Sequence, residues 1–98
     1  MHARMGRVSM RPDKLADVVE NVRQNVVPKY EGRDGFKGFT LLVDPAGGQA
    51  IGISFWETDD AMRATDDIGD EARSSSADVG GGEDEGMKYY EVAIDTMA

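Results

Sequence analysis

Between His2 and Met10 the chain alternates loosely, with Ala3, Met5 and Arg7 on one side and Val8 and Met10 on the other, up to a break at Arg11-Pro12. That pattern predicts a first strand. From Pro12 the period changes. Leu15, Val18, Val19, Val22 and Val26 recur at three- and four-residue spacing, one stripe of a helix whose first turn holds Pro12 and Asp13. Proline disfavours helical backbone at the residue before it, so the helix is expected to end before Pro28, with 30–35 as loop. Two apolar runs follow, Phe36 to Val43 and Gln49 to Trp56, separated by the turn-rich Asp44-Pro45-Ala46-Gly47-Gly48. They predict a hairpin. In its second arm Ile51, Ile53 and Phe55 alternate with the small residues Ala50, Gly52 and Ser54. Thr58-Asp59-Asp60 then supplies an N-cap hydroxyl and two acids for a first helical turn. Ala61, Ala64, Ile68 and Ala72 share one side of this second helix, while Gly69 weakens it. Met87 to Thr96 alternates again, Tyr90, Val92 and Ile94 against Tyr89, Glu91 and Ala93, as a last strand.

The order strand, helix, strand, strand, helix, strand fits one domain over residues 1–98: an α+β, ferredoxin-like βαββαβ fold with two helices on one face of an antiparallel four-stranded sheet. Two helices cover one sheet face only. Phe39, Leu41 and Val43 alternate with Phe36 and Leu42, which puts apolar groups on both faces of the second strand. The uncovered face and the small core together predict a homodimer packed sheet against sheet.

Composition removes several function classes. The net charge of −8 and the absence of a basic stripe argue against nucleic acid. The lack of cysteine removes disulfides, Cys-based zinc and thiol catalysis. No apolar run approaches a membrane span and no signal-peptide core follows Met1, so a cytoplasmic protein without membrane contact is expected. Most of the charge sits in residues 57–86, where eleven acids face Arg63 and Arg73. Within that stretch, 74–86 is Ser-, Gly- and acid-rich with one sizeable apolar side chain, and reads as a flexible loop. The paired acids lack calcium-loop spacing, and no phosphate-binding or dinucleotide motif is present, so neither a metal nor a cofactor is expected.

Pro28, Gly35-Phe36-Lys37-Gly38-Phe39, Ser54-Phe55-Trp56-Glu57 and Tyr89-Tyr90-Glu91-Val92, in that order, resemble the antibiotic biosynthesis monooxygenase family. The resemblance implies a dimeric α+β barrel. It also implies one of several activities, since the family includes cofactor-independent oxygenases acting on polycyclic aromatic phenols, haem-degrading oxygenases and proteins without known activity. The haem-degrading branch uses an Asn on the first strand and an axial His on the second helix. This chain has neither, which disfavours haem degradation.

A phenol-oxidising pocket needs aromatic groups to stack on the substrate and polar groups to orient it. Trp56, Tyr89, Tyr90 and Arg73 are the candidate substrate-binding residues, and no catalytic residue is assigned. Each also has a plainer role: Trp56 and the tyrosines as packing, Arg73 as a counter-charge to its acidic surroundings. A cavity is expected on the Ala50, Gly52, Ser54 face. Two functions follow. One is a dimer that binds an apolar, aromatic or polyketide-like small molecule and acts as a cofactor-independent monooxygenase. The other is a non-catalytic, stress- or assembly-related dimeric binding protein whose pocket is only core.

Overall fold

The structure, a computed structural model, describes residues 1–97. The predicted hairpin is strands β2 (Phe36–Asp44) and β3 (Gln49–Trp56). Its turn closes where Asp44 Oδ1 accepts from Gly47 N at 3.0 Å. Gly48 has φ 64°, and a Cβ there would lie 2.4 Å from the Met10 carbonyl oxygen, so only glycine fits. Strand β1 (His2–Ser9) pairs antiparallel with β3, and β4 (Asp84–Glu91) pairs antiparallel with β1. The sheet order β2-β3-β1-β4 is the ferredoxin-like arrangement, with the helices on one face.

The first helix does not end before Pro28. A 3₁₀ turn (Pro12–Lys14) leads into α1 (Leu15–Asn21), a π turn (Val22–Val26) and α2 (Val27–Tyr30). The π turn is the physical reason. Val27 N–H bonds back five residues to the Val22 carbonyl, so Pro28 enters at the start of a new helical segment, where its missing N–H costs little. The extension carries Tyr30 into the core.

The second helix is two pieces, α3 (Asp59–Arg63) and α4 (Asp66–Gly80), and the Thr58 hydroxyl caps α3 by accepting from Ala61 N. At the break, Thr65 Oγ1 donates to the Met62 carbonyl at 2.9 Å. The expected loop at 74–86 is instead the end of α4 and the start of β4, joined by a three-residue connection. Its small residues make that possible. Ser76, Ala77 and Gly80 are buried, and a Cβ on Gly80 would meet Met10 Cβ at 2.8 Å. Asn21 Nδ2 donates to Ser75 and Ser76 at 3.1 Å, tying α4 to α1. Tertiary contact here outweighs a weak propensity.

The last strand also lies earlier than 87–96. The ladder between β4 and β1 runs out where Glu91 faces His2. Val92 N–H still bonds the Met1 carbonyl at 2.9 Å, while Ile94 is exposed.

A bulge between Phe36 and Gly38 turns Phe36 to the same face as Phe39, Leu41 and Val43, the face under the helices. Phe36 therefore does not supply the open face. That face carries Met5 from β1, Leu42 from β2, and Ile51, Ile53 and Phe55 from β3, with Leu42 50% exposed. No helix covers it. Beneath the helices the buried residues form two clusters, one around Trp56, Tyr30 and Met62 and one around Val8, Val18 and Ala77.

Candidate functional site

Side chains alternate across a strand, so the register of β1 against β3 decides what lies under the helices. Arg4 faces Ser54, Gly6 faces Gly52 and Val8 faces Ala50. These side chains are mostly too small to fill the space above them. A cavity of about 60 Å³ results, roofed by Val18, Val22, Val26 and Tyr30 and walled by Phe39, Leu41 and α4. The glycines seat their neighbours: a Cβ on Gly52 would come within 3.1 Å of the Phe39 ring, and one on Gly6 within 3.1 Å of the Arg73 stem.

Arg4, in the cavity wall, is 3% exposed. A buried guanidinium is tolerated only when its charge and N–H groups are answered. Here Nη1 donates to the Met62 carbonyl and to Asp66 Oδ1, both at 2.8 Å, and Nη2 donates to the Tyr30 hydroxyl at 2.9 Å and to Thr65 Oγ1 at 3.2 Å. Gly69 makes the room, since a Cβ there would stand 2.9 Å from Arg4 Nε. The break in the second helix presents the Met62 carbonyl and Thr65 side by side. Asp66 also accepts from the Tyr89 hydroxyl. That hydrogen bond, together with burial, raises Tyr89 above its ordinary value of 10.0.

Tyr30 is 2% exposed and stacks with Phe36 and Phe39, meeting Trp56 edge-on at 5.6 Å. Its oxygen accepts from Arg4, and among the described residues no protein acceptor pairs with its proton. Tyr30 lines the cavity, so its O–H and the Arg4 cation place a donor and a positive charge beside an apolar space. This pair can orient and polarise an oxygen atom of a small molecule.

The four sequence-predicted residues are not gathered at one point. Arg73 lines the cavity, its Nε donating to Asp84 at 3.0 Å and its Nη2 to Asp70 at 2.5 Å. Trp56 is fully buried on the same sheet face but beyond the cavity wall, and it reaches the cavity through Ser54, whose Oγ accepts from Nε1 at 2.9 Å. Tyr89 lies on the far side of Asp66, with the Arg63 guanidinium 4.0 Å from its ring centre. Tyr90 points to the opposite face and is 45% exposed. Sequence reasoning missed Arg4 and Tyr30. The available signal was an arginine in register with small residues on the helix-covered face, together with a glycine inside a helix.

Among the described residues no group of three His, Asp or Glu side chains is placed to hold a metal ion. Among the described residues no helix is long and apolar enough to cross a membrane.

The family model described as antibiotic biosynthesis monooxygenase matches residues 1–65. Curated relatives include uncharacterized proteins of Mycobacterium tuberculosis, 30% identical over 87 residues, a match that takes in 89% of this chain and 39% of theirs. The chain thus spans well under half the length of those relatives. Among solved structures, the Streptomyces coelicolor monooxygenase from ActVA-Orf6, in complex with nanaomycin D, superposes with a TM-score of 0.75 at 16% identity, covering 99% of this chain and 91% of that one. SnoaB, a cofactor-independent oxygenase from Streptomyces nogalater, gives 0.68 at 14% identity, covering 97% and 95%. The haem-degrader MhuD of Mycobacterium tuberculosis, solved with two haems in its active site, gives 0.69 at 17% identity, covering 99% and 100%. At such identities these likenesses establish the fold, which oxygenases of both kinds share.

Proposed function

The chain belongs to the antibiotic biosynthesis monooxygenase family, and we propose that it is a cytoplasmic homodimer binding an oxygenated aromatic or polyketide-like molecule in the cavity between sheet and helices. The observation that carries this reading is the buried Arg4–Tyr30 pair in the wall of that cavity. Arg4 donates to the Tyr30 oxygen, which polarises the Tyr30 O–H as a hydrogen-bond donor to a phenol or phenolate oxygen placed in the cavity. In cofactor-independent oxygenation the electron-rich phenolate itself supplies electrons to dioxygen, so the protein's share is to hold that anion and exclude water. SnoaB, of the same fold, is a cofactor-independent oxygenase. The described residues argue against the haem alternative, because the sole histidine, His2, lies outside the cavity and β1 has no asparagine. The open face of Leu42, Ile51, Ile53 and Phe55 supports the dimer.

The small volume of the cavity favours a second reading, a non-catalytic, stress- or assembly-related dimer in which this space is only imperfect packing. Titration with hydroxylated naphthalenes and anthraquinones separates the two. The Trp56 indole abuts Tyr30, so a ligand at Tyr30 should change the fluorescence of the single tryptophan. Oxygen uptake with product formation identifies an oxygenase, binding without uptake a carrier. No response across the panel supports the second reading.

A further inference from the structure

The cavity is smaller than its proposed ligand. Apolar cavities that take up benzene offer roughly 150 Å³, against about 60 Å³ here. Immediately outside, between the π turn and α4, lies a groove of about 280 Å³. Val26 and Ala72 line both spaces, so these two side chains form the partition between them. Val26 closes the π turn, a local irregularity of the kind often found at functional sites. The elements on either side are tied across the groove by an exposed ion pair, Lys29 Nζ to Glu71 Oε1 at 2.9 Å, which is a weak restraint.

The groove is polar in a particular way. Its two charges are paired with each other, and its remaining polar groups are the neutral Asn21, Asn25 and Ser75. Asn25 Nδ2 donates to Asn21 Oδ1 at 3.1 Å, and Asn21 Nδ2 donates in turn to Ser75 and Ser76. Ser76 belongs to the cavity wall, so a chain of neutral hydrogen-bonding groups runs from the surface to the interior. Such a surface suits a substituent that both donates and accepts hydrogen bonds and carries no charge.

We propose that the ligand straddles the Val26–Ala72 partition, its oxygen-bearing ring edge inside against Arg4 and Tyr30 and an uncharged hydroxyl- or amide-bearing arm outside on Asn25, Asn21 and Ser75. This rests on the cavity being the binding site, and it adds the second half of the ligand. The test compares, by calorimetry on the full chain, a dihydroxynaphthalene with the same ring carrying a glyceryl ether on one of its two hydroxyls. The glyceryl ether should bind at least 5-fold tighter, and Asn25→Ala should remove at least half of that gain. Ala72→Phe, which fills the partition, should abolish binding of both compounds while the far-ultraviolet circular dichroism stays that of the parent protein. Equal affinity for the two compounds, or a gain that survives Asn25→Ala, overturns the straddling geometry while leaving the cavity as a site. Binding of both compounds undiminished in Ala72→Phe overturns it as well. Absence of binding by either compound overturns both the cavity and the straddling geometry.

Discussion

The two faces of the sheet are built from the same strands and carry different side chains. On the covered face β3 presents Ala50, Gly52, Ser54 and Trp56, and β1 presents Arg4, Gly6 and Val8. On the open face the intervening positions are Ile51, Ile53 and Phe55, with Met5 beside them. Along β3 the larger aliphatic side chains lie on the open face, while β2 sends Phe36, Phe39, Leu41 and Val43 to the covered one. Where the small residues of β1 and β3 meet beneath the helices, the space is taken up by an arginine network and a cavity. Uncovered apolar side chains on a sheet favour a partner, and small residues beneath helices leave room for a ligand. Small side chains thus set where space opens under the helices, and large ones on the bare face set where a partner would pack.

Breaking the covered face should have the largest effect. Arg4→Met takes the cationic partner from Asp66, which keeps only the Tyr89 hydroxyl, and one donor each from Tyr30, Thr65 and the Met62 carbonyl, the last two still bonded to each other; breaking a buried pair costs about 3–5 kcal/mol. Asp66 is partly solvated, so a loss near 3 kcal/mol is expected in denaturant titration. On the open face, Ile53→Asp should leave the fold intact but halve the mass in sedimentation, from two chains to one. Trp56→Phe removes a fully buried indole and the donor to Ser54, and should cost about 1–3 kcal/mol. Gly69→Ala sharpens the contrast further. In an ordinary helix this change gains about 1 kcal/mol, but here the new methyl displaces Arg4, and a net loss of about 1 kcal/mol is expected, read as a fall in Tm of roughly 4–8 °C.

The smallest effect concerns Tyr89 and depends on pH. Folding raises its ionisation above the ordinary value of 10.0 through the hydrogen bond to Asp66. A group whose folded value is raised contributes stability that is fully present below the unfolded value and lost as pH climbs through the folded one. The wild-type protein should therefore exceed Tyr89→Phe in stability at pH 8, with the advantage shrinking above about pH 10. Melting curves of the two proteins across that range check the sign.

Periodicity and turn chemistry made the strand order, the hairpin and the Thr58 cap legible in the sequence, because each depends on neighbours along the chain. The alternation of Ala50, Gly52 and Ser54 with large residues likewise pointed to the face that holds the cavity. What was hidden depends on distant partners. Pro28 reads as a helix stop until the π turn absorbs it. Residues 74–80 read as loop until Asn21, Val18 and Met10 provide something for their small side chains to pack on. Nothing in the local pattern marks Arg4, and only the meeting of Tyr30, Met62, Thr65, Asp66 and Gly69 explains its burial. Tyr30 joins that group because its helix continues past Pro28, so missing the π turn meant missing the site.

The covered face is proposed as the ligand site and the open face as the interface. A crystal structure of the protein grown with a dihydroxynaphthalene tests it most directly. One ring oxygen is expected within hydrogen-bonding distance of the Tyr30 hydroxyl, with the Arg4 guanidinium behind it and two chains joined through Ile51, Ile53 and Phe55. A ligand lodged on the open face, with the cavity closed and the chains meeting elsewhere, would contradict it.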